Sequence, residues 1–292
     1  MKLKYIDKIK ANISINASKK STNLLDGLYR SIFKGRSLDF DDLRDYVVGD
    51  NSKDIDWKSS IRHGSLLVRR YVALKRHNIA FIIDSGARMS GLNPEGEEKR
   101  ETILYTFGTL AYLVNKNEDE INTTYNKNGS IFCSQFKGGL TNVEMSLAEV
   151  EKYVTDDNPH SLNELIETLY NRSKRKMIMV VISDIAGLES IDDNILKKVT
   201  GAHDLLFINI EDASIVGNEL YDIDSSLNIP KYISKNENIK NLETATRNQI
   251  IEDNFKRLGK YRITCVTISN KKEVVSKLID LLERHNHAAM VR

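Results

Sequence analysis

Two apolar runs in the sequence end on aspartate: residues 79–84 in "IAFIIDSGARMS", which deliver Asp84, and residues 177–184 in "MIMVVISD", which deliver Asp184. Between them, "KGGLTNVEMSLAEV" supplies a turn at Gly138 and Gly139, then Thr141, then the period of an amphipathic helix. A buried parallel strand that carries a carboxylate at its C-terminal end places it where ligands bind in an open α/β sheet. Asp84, Thr141 and Asp184 at one sheet edge would offer three oxygen donors. A hard cation such as Mg²⁺ takes oxygen donors of this kind and keeps several waters. The simpler role for the same aspartates is to cap the helices that follow their strands.

A second cluster lies in "VVGDNSKDIDWKSSIRHG", where Asp50, Lys53, Asp54, Asp56, Lys58 and Arg62 surround the chain's single tryptophan, Trp57. A half-exposed Trp among charges has the composition of an interaction hot spot. The alternative is that Trp57 packs this segment onto the rest of the chain, with Asp50 and Arg62 paired to fix the turn. "DWK" is also a D-x-K. With Asp41 or Asp45 upstream, Asp56 and Lys58 could mimic a metal-dependent nuclease or hydrolase, in which carboxylates hold Mg²⁺ and the lysine assists a water. Such enzymes carry the D-x-K on an apolar core strand, which "DIDWKSS" does not resemble. No G-x-S-x-G, P-loop or G-x-G-x-x-G occurs. His285 and His287 are two residues apart, which puts them on different faces of a helix. Lys174, Arg175 and Lys176 read as a cationic helix end. Cys133 and Cys265 lie in apolar strand patterns and read as inert core residues.

The elements that must position these groups follow from periodicity. Strands are expected at 79–84, 120–125, 130–135, 177–183, 204–210 and 261–267, the second and third forming a hairpin around "NKNGS". Helices are expected at 96–116, 142–154, 161–174, 191–200, 239–258 and 271–285. Strands alternating with helices specify a doubly wound, mostly parallel α/β sheet covered on both faces. Residues 1–33 read as a helical lead-in with Leu24, Leu25, Leu28 and Ile32 on one side, and 34–76 as a charged arm ending in the strand-like "SLLVRRYVALK". Residues 211–236 read as an extra hairpin or an extended loop. The division is therefore an N-terminal helix and arm over 1–76 and an α/β domain over 77–292.

"FIIDSGARMS", "GGLTN" and "VISD" resemble the three segments of a von Willebrand factor A domain, whose metal-ion-dependent adhesion site uses D-x-S-x-S, a later threonine and a later aspartate. The preceding block resembles that of the DUF58 family, which runs F-x-x-x-R-x-Y-x-x-G-D, then R-x-I-D-W, then an arginine. Phe40, Arg44, Tyr46, Gly49, Asp50, Ile55, Asp56, Trp57 and Arg62 fill that pattern, and Lys53 departs from it. In the metal motif, Gly86 and Arg88 replace the hydroxyl ligands. The resemblance thus implies a degenerate site of Asp84, Thr141 and Asp184 that depends on water and binds Mg²⁺ weakly, with Ser85 or Ser90 able to rescue it if the loop is shifted. A guanidinium beside two carboxylates would itself neutralise them, so Arg88 is expected to stand in for the metal with Asp84 or Asp184 as partner. The family also implies a partner, a MoxR-type AAA+ ATPase, for which such proteins act as adaptors in remodelling or maturation of other proteins. The surface expected to meet it comprises Arg44, Tyr46, Asp50, Asp56, Trp57, Arg62 and Arg88.

Composition agrees with a binding module. The 292 residues carry 43 basic and 41 acidic side chains, a formal charge of +2, which does not point to nucleic acid or an anionic membrane. Two distant cysteines fit a reducing compartment. The lysine-interrupted N-terminus lacks a signal-peptide core, and no stretch reaches the roughly 20 apolar residues of a membrane span. The expectation is a cytoplasmic, non-enzymatic α/β module acting through protein contacts.

Overall fold

The computed structural model describes residues 3–33, 42–50, 52, 55–70, 77–155, 158–159, 161–173, 175–214, 221–222, 227–228 and 237–290. Phe40, Asp41, Lys53, Asp54 and most of 211–236 lie outside the described residues.

The elements in chain order are α1 (Lys4–Asn16), α2 (Lys19–Phe33), β1 (Asp42–Asp45), α3 (Trp57–His63), β2 (Leu67–Arg70), β3 (Asn78–Ile83), α4 (Lys99–Lys116), β4 (Glu120–Lys127), β5 (Ser130–Cys133), α5 (Leu140–Tyr153), α6 (Leu162–Arg172), β6 (Ile178–Ser183), α7 (Ile185–Ser190), α8 (Asp193–Ala202), β7 (Asp204–Ile210), β8 (Tyr221–Asp222), β9 (Leu227–Asn228), α9 (Glu237–Lys260), β10 (Thr264–Ile268) and α10 (Val274–Met290). The central sheet has six strands in the order β10-β7-β6-β3-β4-β5. All neighbours pair in parallel except β5, which returns antiparallel beside β4. This is the doubly wound, mostly parallel sheet that the alternating periodicity predicts.

The sheet is buried on both faces, so its strands are near-continuous apolar runs whose alternate residues enter different layers. Ile79, Phe81 and Ile83 of β3, with Val180, Ile182, Leu206 and Ile208, pack against α4, α5 and α10 through Ile103, Phe107, Leu147 and Leu278. Ala80, Ile82, Met179, Val181 and Phe207 face α6, α8 and α9 through Leu165, Ile166, Leu169, Leu196 and Leu258.

The lead-in is two helices, and it belongs to the α/β core rather than to the arm. Ile6, Leu25 and Tyr29 are buried in the first of these layers. Gly108 of α4 makes room for α1: a Cβ there would stand 2.6 Å from Ile9 Cδ1. The buried Glu144 carboxylate accepts the Tyr5 and Ile6 backbone N–H groups (2.9 Å each), satisfying donors that a helix start leaves open. The Tyr29 hydroxyl donates to Asp119 (2.7 Å), which also accepts the His77 N–H (2.8 Å). The boundary expected at residue 76 is therefore misplaced for residues 3–33; the arm proper is the segment from β1 to β2. Cys265 is buried, and burial raises its thiol pKa to about 12. Cys133, expected in the core, is half-buried on the edge strand β5 instead.

Candidate functional site

Strands β3 and β6 are neighbours with Ile83 opposite Ile182, so Asp84 falls opposite Ser183, and Asp184 follows one residue later at the same C-terminal edge of the sheet. Both are buried. Asp84 accepts the Ser183 hydroxyl through Oδ2 (2.5 Å) and the Gly86 N–H through Oδ1 (3.0 Å). Asp184 caps α7, its Oδ1 accepting the Gly187 N–H (2.8 Å). The capping role thus holds for Asp184, but only one of its oxygens is spent on it.

The other oxygen meets Lys99. This side chain comes from the first turn of α4, is fully buried, and places Nζ 3.1 Å from Asp184 Oδ2. The same ammonium donates to Asp212 Oδ1, in the segment that follows β7. Arg88, in a short 3-10 turn (Ala87–Ser90), holds Nε 3.7 Å from Asp184 Oδ2 with its side chain partly exposed. Arg247 of α9 secures the Asp212 segment by donating to the carbonyls of Asp212 and Ala213 (2.9 Å to the latter) and to Glu243 (2.8 Å). Burial would raise the Asp184 pKa, but the Lys99 ammonium, the Gly187 N–H and Arg88 outweigh it and hold the carboxyl below its usual value. Burial would lower the Lys99 pKa, and Asp184 and Asp212 outweigh that and raise it. Both groups are therefore charged at neutral pH.

Other expected site residues fall elsewhere. Thr141 is exposed in the first turn of α5, and the loop before it is tied to the opposite edge of the sheet: Lys137 bridges Ile121, and the Gly139 N–H donates to Asn115 Oδ1 at 2.9 Å. Ile121 pairs with Ile79 at the start of β3. Five strand residues separate Ile79 from Asp84, a rise of about 16 Å. The three donors do not share an edge. Ser85 cannot rescue the set, because its hydroxyl is buried against the β4 backbone, donating to Asn126 O (2.9 Å) and accepting the Asn126 N–H (3.0 Å). Ser90 donates to Ala87 O (2.7 Å) within its own turn. The loop that does reach the C-terminal edge is the one between α5 and α6, where Asn158 accepts the Ala87 N–H through its carbonyl (3.0 Å) and its side-chain amide donates to Asn126 O and Tyr153 O.

The metal that the motif resemblance implies can be tested on these donors. A divalent cation bound to Asp184 would share the carboxylate with the Lys99 ammonium. Unit charges about 4 Å apart interact by about 4 kcal/mol at an effective dielectric of 20, and the repulsion doubles for a divalent ion. With Thr141 remote, Gly86 and Arg88 in the hydroxyl positions and Ser85 engaged, the residues present do not fit a Mg²⁺ ion. Among the described residues no group of three or more His, Cys, Asp or Glu side chains is placed to hold one. Lys99, which the motif spacing does not flag, sits where Arg88 is expected to act.

The arm is built differently. Strand β1 pairs antiparallel with β2, Leu43 facing Arg69, and α3 lies between them in sequence. Asp56 is the N-cap of α3, its carboxylate accepting the Ser59 N–H (3.0 Å), and Gly64 ends the helix in the left-handed region at φ 78°. The Ser60 hydroxyl donates to Asp56 O (2.7 Å) and accepts the Leu67 N–H (2.8 Å), joining helix to strand. Asp50 pairs with Arg44 (2.5 Å) rather than with Arg62, and closes the 47–50 turn by accepting the Val47 N–H (3.0 Å). Tyr46 is half-buried beside β1 and donates its N–H to Leu66 O (2.8 Å), while Arg62 is exposed on α3. Trp57 does not plug the arm: it is 61% exposed, with Ile61 one helical turn on at 81% and Val47 and Val48 exposed as well. The D-x-K thus sits on a helix cap, with the Asp56 carboxylate taken by the backbone and Lys58 exposed.

These features define a doubly wound α/β module with an internally neutralised acidic edge and a short arm that exposes apolar side chains. A family model described as "Protein of unknown function DUF58" matches residues 42–222, and the chain belongs to that family. No curated protein matches it. Similar solved structures include the conserved hypothetical protein BatB from Bacteroides thetaiotaomicron, with 12% identity over 72% of this chain and 98% of that one and a TM-score of 0.47. A von Willebrand factor type A protein from Catenulispora acidiphila has 7% identity over 74% of this chain and 43% of that one, with a TM-score of 0.41. The PilB minor pilin from Streptococcus sanguinis has 11% identity over 77% and 66%, with a TM-score of 0.44. Membership rests on the family match alone.

Proposed function

We propose that the chain is a non-enzymatic, cytoplasmic protein-recognition module that couples a MoxR-type AAA+ ATPase to the proteins it remodels, and that it does so without a metal ion. The observation that carries the recognition role is the exposed apolar set on the arm. Trp57 and Ile61 lie on one face of α3, with Val47 and Val48 also open to solvent. A solvent-facing Trp amid charges is the residue type that dominates binding energy at protein interfaces. The class of partner comes from the DUF58 family, whose block the arm carries. The strand edge supports the metal-free part of the reading, since Lys99 and Arg88 already balance Asp184.

The test is capture of partners from native cells on the tagged full chain with ATP, comparing wild type with Trp57→Ala/Ile61→Ala. Recovery of an AAA+ ATPase that falls at least tenfold in the variant supports the adaptor role. Equal recovery by both proteins, or recovery of no ATPase, refutes it. The nuclease alternative loses ground because Asp56 is a helix cap, and retention of Mn²⁺-dependent cleavage by Lys58→Ala would remove it.

A further inference from the structure

We infer that Lys99 is a built-in replacement for a divalent cation, and that taking away its ammonium, together with the Arg88 guanidinium, converts this edge of the sheet into a Mg²⁺- or Mn²⁺-binding site. The inference deepens the metal-free part of the proposed function and rests on it. The arm is a separate contact, so the adaptor role and this inference can fail independently.

A fully buried lysine is rare unless paired, because an ammonium loses its hydration on burial. Lys99 meets that cost with carboxylates from two further elements, Asp184 at the end of β6 and Asp212 after β7. Asp84 falls opposite Ser183 in the sheet register, one residue before Asp184, and both carboxylates lie against Gly187: its N–H donates to Asp184 Oδ1, and a Cβ there would stand 3.0 Å from Asp84 Oδ2. Asp184 and Asp212 thus meet the Lys99 ammonium, and Asp184 also meets Arg88, while Asp84 beside them accepts the Ser183 hydroxyl and the Gly86 N–H. An ammonium offers only N–H donors on a flexible stem, whereas Mg²⁺ and Mn²⁺ accept carboxylate oxygens and complete their shells with water. Without Lys99, Asp184 Oδ2 and Asp212 Oδ1 lose their donor and leave negative charge that a hydrated divalent ion would compensate. In wild type the ammonium arrives covalently attached to α4. The junction of α4, the β6–α7 turn and the segment after β7 is then held whether or not divalent cations are present.

The experiment compares full-length wild type, Lys99→Ser and Lys99→Ser/Arg88→Ser by Mn²⁺ electron paramagnetic resonance titration and by thermal unfolding in Mn²⁺ or EDTA. Wild type is expected to show no saturable Mn²⁺ binding and one Tm in both conditions. The double variant is expected to bind one Mn²⁺ and to gain roughly 5–10 °C in Tm at Mn²⁺ about a hundredfold above its Kd. Saturable binding of one Mn²⁺ to wild type, abolished by Asp184→Asn, overturns the inference. So does a folded double variant whose Tm ignores Mn²⁺. Should the serine variants fail to fold in either condition, Lys99→Met/Arg88→Met, which removes both charges and keeps most of the aliphatic volume, carries the same comparison, and the wild-type titration remains decisive.

Discussion

Replacing Lys99 by Met tests whether the buried ion pair is structural. The substitution keeps the aliphatic volume and removes the charge. At 3.1 Å and an effective dielectric of 20, the Lys99–Asp184 attraction is about 5 kcal/mol, much of it offset by the desolvation of both groups. Removing one partner leaves Asp184, which is 1% exposed, without its closest cation, and such losses cost about 3–5 kcal/mol. Against a total stability of about 5–15 kcal/mol that is a large fraction. The assay is urea unfolding at pH 7 followed by circular dichroism, with Arg100→Met as control. Arg100 is partly exposed and, among the described residues, pairs with a half-exposed Glu98, so that change should stay within about 0.5 kcal/mol. Lys99→Met/Asp184→Asn should recover part of the loss, because it removes the buried Asp184 charge and leaves without the ammonium only Asp212, whose side chain is partly exposed. A Lys99→Met midpoint equal to wild type, or additive losses in the double variant, would refute the reasoning. The pH dependence has a definite sign. Asp184 is held below its usual pKa in the folded state, so its pairing stabilises above the unfolded carboxyl pKa of about 3.9. That contribution is lost as pH falls through the folded value, and the gap between wild type and Asp184→Asn should close in acid.

The remaining predictions concern packing and the arm. Gly187→Ala should destabilise by about 1–3 kcal/mol, since the new methyl would stand 1.9 Å from Ser183 Oγ and 3.0 Å from Asp84 Oδ2, between groups already hydrogen-bonded to each other; thermal unfolding measures it, and an unchanged Tm would contradict the geometry. Tyr29→Phe should cost about 1.5–3 kcal/mol by removing a donor from the buried Asp119 carboxylate. If α2 belongs to the core, the loss should appear in one cooperative transition, whereas early melting of a separate helical step would contradict that. Trp57→Ala/Ile61→Ala should leave stability within about 0.5 kcal/mol while weakening partner capture, because both side chains face solvent.

What the sequence determined by itself is the sheet and its helices. Apolar runs such as 79–84 and 204–210 have one stable use in a chain of alternating periods, and the adjacency of Asp84 and Asp184 follows once β3 and β6 pair. The family block around Gly49 and Trp57 was equally legible, because it is written in residue types at fixed spacings. Tertiary structure alone decided the rest. Thr141 looked like a site residue because its loop precedes a helix, yet the bridge from Lys137 to Ile121 ties that loop to the far edge. Lys99 gave no local signal, since a lysine at the start of a helix is ordinarily solvated. Its burial arises because the first turn of α4 meets the ends of β6 and β7, whose aspartates lie 85 and 113 residues away along the chain. Charge pairing over such separations depends on which strand ends adjoin, and no local pattern encodes that.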